Sequence, residues 1–245
     1  NRVKMETLGI STSLLWKGRH GSEFRMGASF EEIVVEETAG RFIAGFYAEN
    51  TELDNENSFW GVDAQYKFEN IKGGSFPVLG LATSLHIGYK GNTENSDKGY
   101  GYIIPSLGIN YQLIPSGNIV LASKIKAHFN VGNDFEFFQG ASIGAEDGLR
   151  GYRFQRFTGK HSYYQSTDLR FNLKRVKTSV IPLSLGVFGG FDYGRVWLSN
   201  DNSNVWNTSF GGGFFVNGLD FITAKTSLFS SDDGIRFVFG LGIGF

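Results

Sequence analysis

Apolar residues recur at every second position over most of this chain. From Leu8 the set Leu8, Ile10, Thr12, Leu14 and Trp16 alternates with Gly9, Ser11, Ser13, Leu15 and Lys17. The same period returns over 24–30, 60–68, 79–89, 103–113, 121–129, 169–173, 181–191 and 204–217, and more weakly over 220–229. The last run is the cleanest: Ile235, Phe237, Phe239, Leu241, Ile243 and Phe245 stand against Arg236, Val238, Gly240, Gly242 and Gly244. A side-chain period of two belongs to the pleated strand. The pattern therefore predicts an all-β chain of about eleven strands.

The two faces differ in a way that bears on surroundings. A soluble sandwich also alternates, but its outer face looks at bulk water and is rich in Lys, Glu and Thr. Here the non-apolar faces carry Gly and Ser with both signs of charge, and the apolar faces carry Trp16, Trp60, Tyr66, Tyr89, Tyr111 and Trp206. An outward band with aromatic girdles around a wet lumen has that composition, so the expectation is a transmembrane antiparallel β-barrel. No stretch reaches 18 consecutive apolar residues, the length a helical span needs.

Connections sharpen the picture. Short ones fall at 18–22, 69–75, 114–117, 175–178 and 217–219; longer ones fall at 37–57, 91–98, 132–161, 199–203 and, only modestly longer, 230–234. Short turns on the periplasmic side and long loops outside are the outer-membrane arrangement, which places the C-terminus in the periplasm. An odd strand number leaves a sheet edge whose N–H and C=O groups hydrocarbon cannot satisfy. At least one strand is therefore expected before Asn1, in a larger barrel or from another chain. The absence of an initiator Met agrees with this.

Composition narrows the chemistry. There are 34 Gly, no Cys and a net charge of −1, with aromatics at 16%. This excludes a disulfide framework or a cysteine zinc site, and offers no basic excess for nucleic acid. His20, His86, His128 and His161 lack metal-ligand spacing. Gly140-Ala141-Ser142-Ile143-Gly144 matches the hydrolase serine pattern, but no strand-to-helix context follows it. The expectation is a non-enzyme: no catalytic residues, no metal and no cofactor. His86, His128 and the bases Lys124, Lys126, Arg170 and Lys174 face inward by parity, the bases setting pore preference or binding carboxylates of the long loop.

That loop, 132–161, mixes aromatics and bases around Leu149-Arg150-Gly151-Tyr152. Projected into water it would expose its rings. Folded back into a wide lumen, it shelters them and brings its bases to wall carboxylates. Arg150 is the candidate anchor, since a guanidinium suits a bidentate carboxylate. Asp192, in Phe191-Asp192-Tyr193-Gly194, is inward by parity and the first choice of partner; Asp168 is the second.

With these motifs in place, the chain resembles the C-terminal barrel of the bacterial surface antigen superfamily, the BamA/TamA/FhaC-like outer-membrane assembly and translocation proteins. The resemblance rests on Leu149-Arg150-Gly151-Tyr152, Asp168-Leu169-Arg170, Phe191-Asp192-Tyr193-Gly194 and the terminal aromatic strand. It is strong over 118–245 and looser over 1–117, and closest to a Bacteroidetes branch often fused to a metallophosphoesterase. It implies that the whole of 1–245 is part of a sixteen-stranded barrel, its last eleven strands, with the Arg150 loop in the lumen against Asp192. It implies Phe239, Leu241, Ile243 and Phe245 as a C-terminal assembly signal, and a weak seam at the last strand. The glycines at 240, 242 and 244 either loosen that strand or relieve crowding from the loop. The implied location is the bacterial outer membrane. The implied partners are outer-membrane lipids and lipopolysaccharide, client or secreted polypeptides and other envelope subunits. The implied activity is protein insertion or translocation. Alternatives are an anchor or lipid-handling barrel for an upstream catalytic domain, and a structural barrel or passive pore.

Overall fold

The computed structural model describes residues 4–36, 55–72, 76–132, 136–177, 182–198, 204–218 and 222–243. Its strands are β1 (Lys4–Lys17), β2 (Ser22–Glu36), β3 (Glu56–Lys72), β4 (Leu79–Asn92), β5 (Tyr100–Gln112), β6 (Ile119–Val131), β7 (Ala141–Ile143), β8 (Phe157–Gly159), β9 (His161–Lys177), β10 (Pro182–Trp197), β11 (Asn207–Gly218), β12 (Ile222–Ser231) and β13 (Gly234–Ile243). Eleven of them form one sheet in the order β1-β2-β3-β4-β5-β6-β9-β10-β11-β12-β13. Every neighbouring pair is antiparallel, and β7 with β8 makes a separate two-stranded hairpin. Among the described residues β1 pairs only with β2 and β13 only with β12, so the sheet is not closed.

Alternation in the sequence becomes two different surfaces. Leu8, Ile10, Phe210, Phe214, Phe237 and Leu241 stand exposed on the outer face. So many bare apolar side chains would be a liability in water, while hydrocarbon accepts them at no cost. Aromatic rings gather near strand ends: Trp60 lies 5.5 Å from Tyr89, Trp16 lies 5.7 Å from Phe24, and Trp206 lies 5.6 Å from Tyr193. On the inner face the strands are laced by charge. Arg25 pairs with Asp63, Lys90 with Glu31, and His86 Nε2 lies 3.1 Å from Asp63 Oδ2. His128 is also inward, with Nε2 2.9 Å from Asn130 Oδ1.

Three local features depart from simple alternation. Pro105 occupies an interior strand, where it has no N–H to give; the β5–β6 ladder skips 104 and 105 and resumes in register at Ser106↔Lys126. A bulge between β9 and β10 pairs Leu185 with Lys174 and Gly186 with Asn172. One extra residue in β9 shifts the register there, so a parity count does not carry across the bulge; the side chain of Lys174 lies outside the described residues. The connection expected over 230–234 is a tight turn of Asp232 and Asp233, with Gly234 at φ +107° closing it. The Asp-Gly step suits such a turn, and the long-loop end is therefore short here.

An apolar cluster sits on the inner face towards the short-turn end: Phe76, Val120, Phe188, Phe215 and Phe229. Phe76, in the β3–β4 connection, stacks on Phe215 of β11 with centroids 5.4 Å apart. The rings lie opposite glycines in the register, Phe215↔Gly186, Phe188↔Gly213 and Phe229↔Gly211. A Cβ on Gly186 would come within 2.0 Å of the Phe215 ring. Part of the glycine richness is thus space for inward aromatics on neighbouring strands, not only room for water.

Candidate functional site

The loop between β6 and β9 rises as the β7–β8 hairpin, and its tip turns tightly. Leu149 N–H donates to Gly144 O at 2.8 Å, Tyr152 N–H to Leu149 O at 3.0 Å, and Ala145 N–H to Arg153 O at 3.1 Å. Such local pairing satisfies backbone groups that a lumen-inserted segment would otherwise leave unmet. Leu149 and Tyr152 are fully buried with Ile143 and Tyr164, against Phe157 and Val196. They wedge the tip between hairpin and wall. Shelter is partial, however: Phe154 and Phe137 are exposed at 55% and 39%, so the expectation that folding back hides the loop's rings fails for these two. The Tyr152 ring packs edge-on against Phe157, centroids 5.1 Å apart.

Arg150 points between two carboxylates. Its Nη2 lies 2.6 Å from Asp192 Oδ1, its Nε 3.1 Å from both Asp192 oxygens, and its Nη1 2.6 Å from Asp168 Oδ1. Its backbone N–H donates to Asp192 Oδ2 at 3.0 Å. Asp192 has no exposed surface and also accepts from Ser166 Oγ at 2.7 Å and Ser209 Oγ at 2.9 Å. The guanidinium stacks 4.2 Å above the Phe229 ring. Burial disfavours its charge, but the Asp192 hydrogen bonds and the Asp168 and Asp192 charges outweigh that and raise its pKa, so it stays protonated. Gly190 makes the approach possible, since a Cβ there would lie 2.6 Å from Arg150 Nη2 and 2.9 Å from Phe229.

The motif continues across the sheet. Gly151 N–H donates to Ser209 Oγ on β11 at 3.2 Å, Ser231 Oγ on β12 donates to Gly151 O at 2.8 Å, and Arg236 Nη1 on β13 donates to Tyr152 O at 2.5 Å. Four consecutive loop residues thus touch every strand from β9 to β13. The opposite flank is tied by ion pairs, Lys126 Nζ to Asp147 at 3.0 Å and Lys98 Nζ to Glu136 at 2.9 Å. Among the described side chains of the inward-assigned bases, Lys126 binds a loop carboxylate, and Arg170 reaches Asp168 at 3.4 Å.

Sequence reasoning brings Arg150, Asp192 and Asp168 together, and the structure places them in contact. It misses Ser166 and Ser209, which complete the Asp192 shell, and Ser231 and Arg236, which hold the motif's carbonyls. Parity marks all four as inward, but so it does many others. Leu241 and Phe239 of the expected terminal signal face outward at 71% and 67% exposure; Ile243 ends β13, and Phe245 lies outside the described residues. Crowding does not explain Gly240 and Gly242: a Cβ on Gly242 would meet nothing within 4 Å, and one on Gly240 meets only Lys225, at 3.3 Å or more; Gly244 lies outside the described residues. Ser142 of the serine-hydrolase pattern lies in β7, its Oγ 2.7 Å from Thr158 Oγ1. No group of three or more His, Cys, Asp or Glu side chains suited to a metal occurs among the described residues.

A rim contact gives the loop a pH dependence. Arg156 Nε lies 2.7 Å from Asp233 Oδ2 in the β12–β13 turn, and that hydrogen bond lowers the Asp233 pKa. A depressed carboxylate contributes above its ordinary value of about 3.9 and loses the contribution as pH falls through its lowered pKa. Amide exchange of residues 153–156, corrected for intrinsic rates, is expected to accelerate on acidification in that range. Asp233→Asn should show the faster exchange at neutral pH already; an unchanged rate in both cases would show that the pair does not hold the loop.

Neither a protein-family profile nor a curated protein sequence matches the chain. Among solved structures it is similar to BamA from Haemophilus ducreyi lacking POTRA domains 1–3, with TM-score 0.75 and 13% identity over 98% of this chain and 55% of that one. It is also similar to CdiB from Escherichia coli, with TM-score 0.64 and 9% identity over 98% of this chain and 45% of that one. The chain spans about half the length of each. At such identities the likeness is one of fold: an antiparallel sheet of the outer-membrane barrel type.

Proposed function

We propose that this chain is part of an outer-membrane β-barrel of the bacterial surface antigen superfamily that acts in inserting or translocating polypeptides at the bacterial outer membrane. The fold shared with BamA and CdiB supports the class of barrel. The observation that carries the reading is the Arg150 contact, in which one loop side chain is held by Asp192 and Asp168 on the inner wall while its neighbours reach β11, β12 and β13. A passive pore would gain nothing from a long segment tied across its interior. A barrel that moves polypeptides needs a lumen element whose seating can respond to a client. Lipid and lipopolysaccharide would meet the exposed outer band, and the substrate would be a client or secreted chain. The barrel has no catalytic role in this reading, and Leu149, Arg150, Gly151 and Tyr152 position the loop.

Arg150→Ala in the full-length protein is expected to abolish or strongly reduce client insertion or secretion while leaving an assembled barrel that still shifts on heating in gels. Arg150→Lys keeps the charge but loses the fork, and should fall between. Wild-type activity in the alanine variant would refute a functional loop.

A further inference from the structure

Below the Arg150 contact, on the short-turn side, the inner wall lines a half-open cavity of about 630 Å³. Its floor includes Pro77, next to the Phe76 ring that crosses to β11, and its roof is Arg150. The wall between is cut from small residues: Ala82, Gly108 and Ala122 line it, and a Cβ on Gly108 would meet only Ala82, at 3.7 Å or more. Ser84 and Ser106 face it with their hydroxyls joined at 2.8 Å.

Among the described lining residues cations outnumber carboxylates. Five lining residues are cationic and two are carboxylates, Glu69 and Asp168. Asp168 is already engaged by both Arg150, at 2.6 Å, and Arg170, at 3.4 Å. Lys124 from β6 and Lys225 from β12 are brought to the same space as Arg170 from β9, although three strands separate β6 from β12 in the sheet. Like charges gathered along one recess raise the local concentration of anions. Lysine ammonium and arginine guanidinium bind oxyanions through charge-assisted hydrogen bonds, arginine in the bidentate mode. The cavity has room for a multivalent group, and these three cationic residues come from three different strands, β6, β9 and β12.

We propose that this chamber binds a phosphate-class oxyanion, held by Lys124, Arg170 and Lys225. The group is either a free phosphate compound or the headgroup of a lipid. This site lies against the loop contact and shares Asp168 with it through Arg170, but does not depend on the barrel's role in moving polypeptides.

The test is a thermal-unfolding titration of the full-length protein in neutral detergent. Sodium pyrophosphate, mixed micelles containing phosphatidic acid, and sodium chloride at matched ionic strength are compared. Pyrophosphate is expected to raise the unfolding temperature saturably and beyond chloride. In Lys124→Gln/Lys225→Gln the apparent affinity should fall about tenfold or more. Lys124→Arg/Lys225→Arg should retain it, which guards against a loss caused by misfolding. Saturable stabilisation by pyrophosphate assigns a free oxyanion. Stabilisation by phosphatidic acid alone, with the same sensitivity to the double variant, assigns a headgroup. A response no larger than that to chloride, or one equal in wild type and the glutamine variant, overturns the proposal.

Discussion

Asp192→Ala is expected to unseat the loop that carries Arg150 and cost about 3 kcal/mol at the site, because it strands a buried guanidinium and two hydroxyls at once. Asp192 is completely buried, while Arg150 keeps 23% of its side chain exposed. The penalty thus belongs to a largely dry contact, above the ~1 kcal/mol or less of a hydrated surface pair. Asp168, 2.6 Å from Arg150 Nη1, remains and limits the loss. If the loop opens locally, 3 kcal/mol raises the open population by roughly a hundredfold. Trypsin cleavage at Arg153 and Arg156 in the folded barrel reads that population directly. Asp192→Asn, which retains an acceptor but no charge, should give an intermediate rate. Cleavage of the alanine variant at the wild-type rate would mean that the loop is held by its apolar wedge alone.

Gly148→Ala should have the second-largest effect, through geometry and not charge. Gly148 has φ +91°, outside the range that side chains tolerate easily, and its Cβ would lie 2.0 Å from the Tyr164 ring. Backbone strain of this kind costs about 1–3 kcal/mol. Tyr164 is 3% exposed, packed against Leu149 and Tyr152, and has nowhere to swing. The residue after Gly148 begins the motif, so displacement there moves Arg150 off Asp192. Faster amide exchange over 148–152 is the expected outcome, with the sheet's own exchange unchanged. Adding Tyr164→Ala removes the clash but not the strain and should recover part of the protection. Native exchange in Gly148→Ala alone would show that the tip adapts without leaving its seat.

Strands and faces were legible because a period of two is written locally. Each outward Leu, Ile, Phe or Trp needs only its own neighbours to declare a side, and the register keeps these sets together from Ile10↔Phe30 to Leu241↔Ala224. Asp192 was legible for the same reason: parity in β10 turns it inward, and a motif arginine in a long loop calls for a carboxylate. Parity fails where one residue is inserted, as at the β9 bulge, since nothing local in Leu173-Lys174 announces it.

What the sequence by itself determined is the class of the fold: antiparallel strands, an apolar outer surface, a polar inner face and a loop with an arginine to anchor. The tertiary structure decided which groups meet. It chose both carboxylates for Arg150 where either would have served, completed Asp192 with Ser166 and Ser209 from flanking strands, and laid Phe76 on Phe215 across the interior. It also assigned the glycines, some making room for rings and Arg150, others, such as Gly242, facing open space. Alternation depends on adjacent residues, whereas each of these contacts depends on sheet curvature and stagger, which bring residues tens of positions apart within a few ångströms.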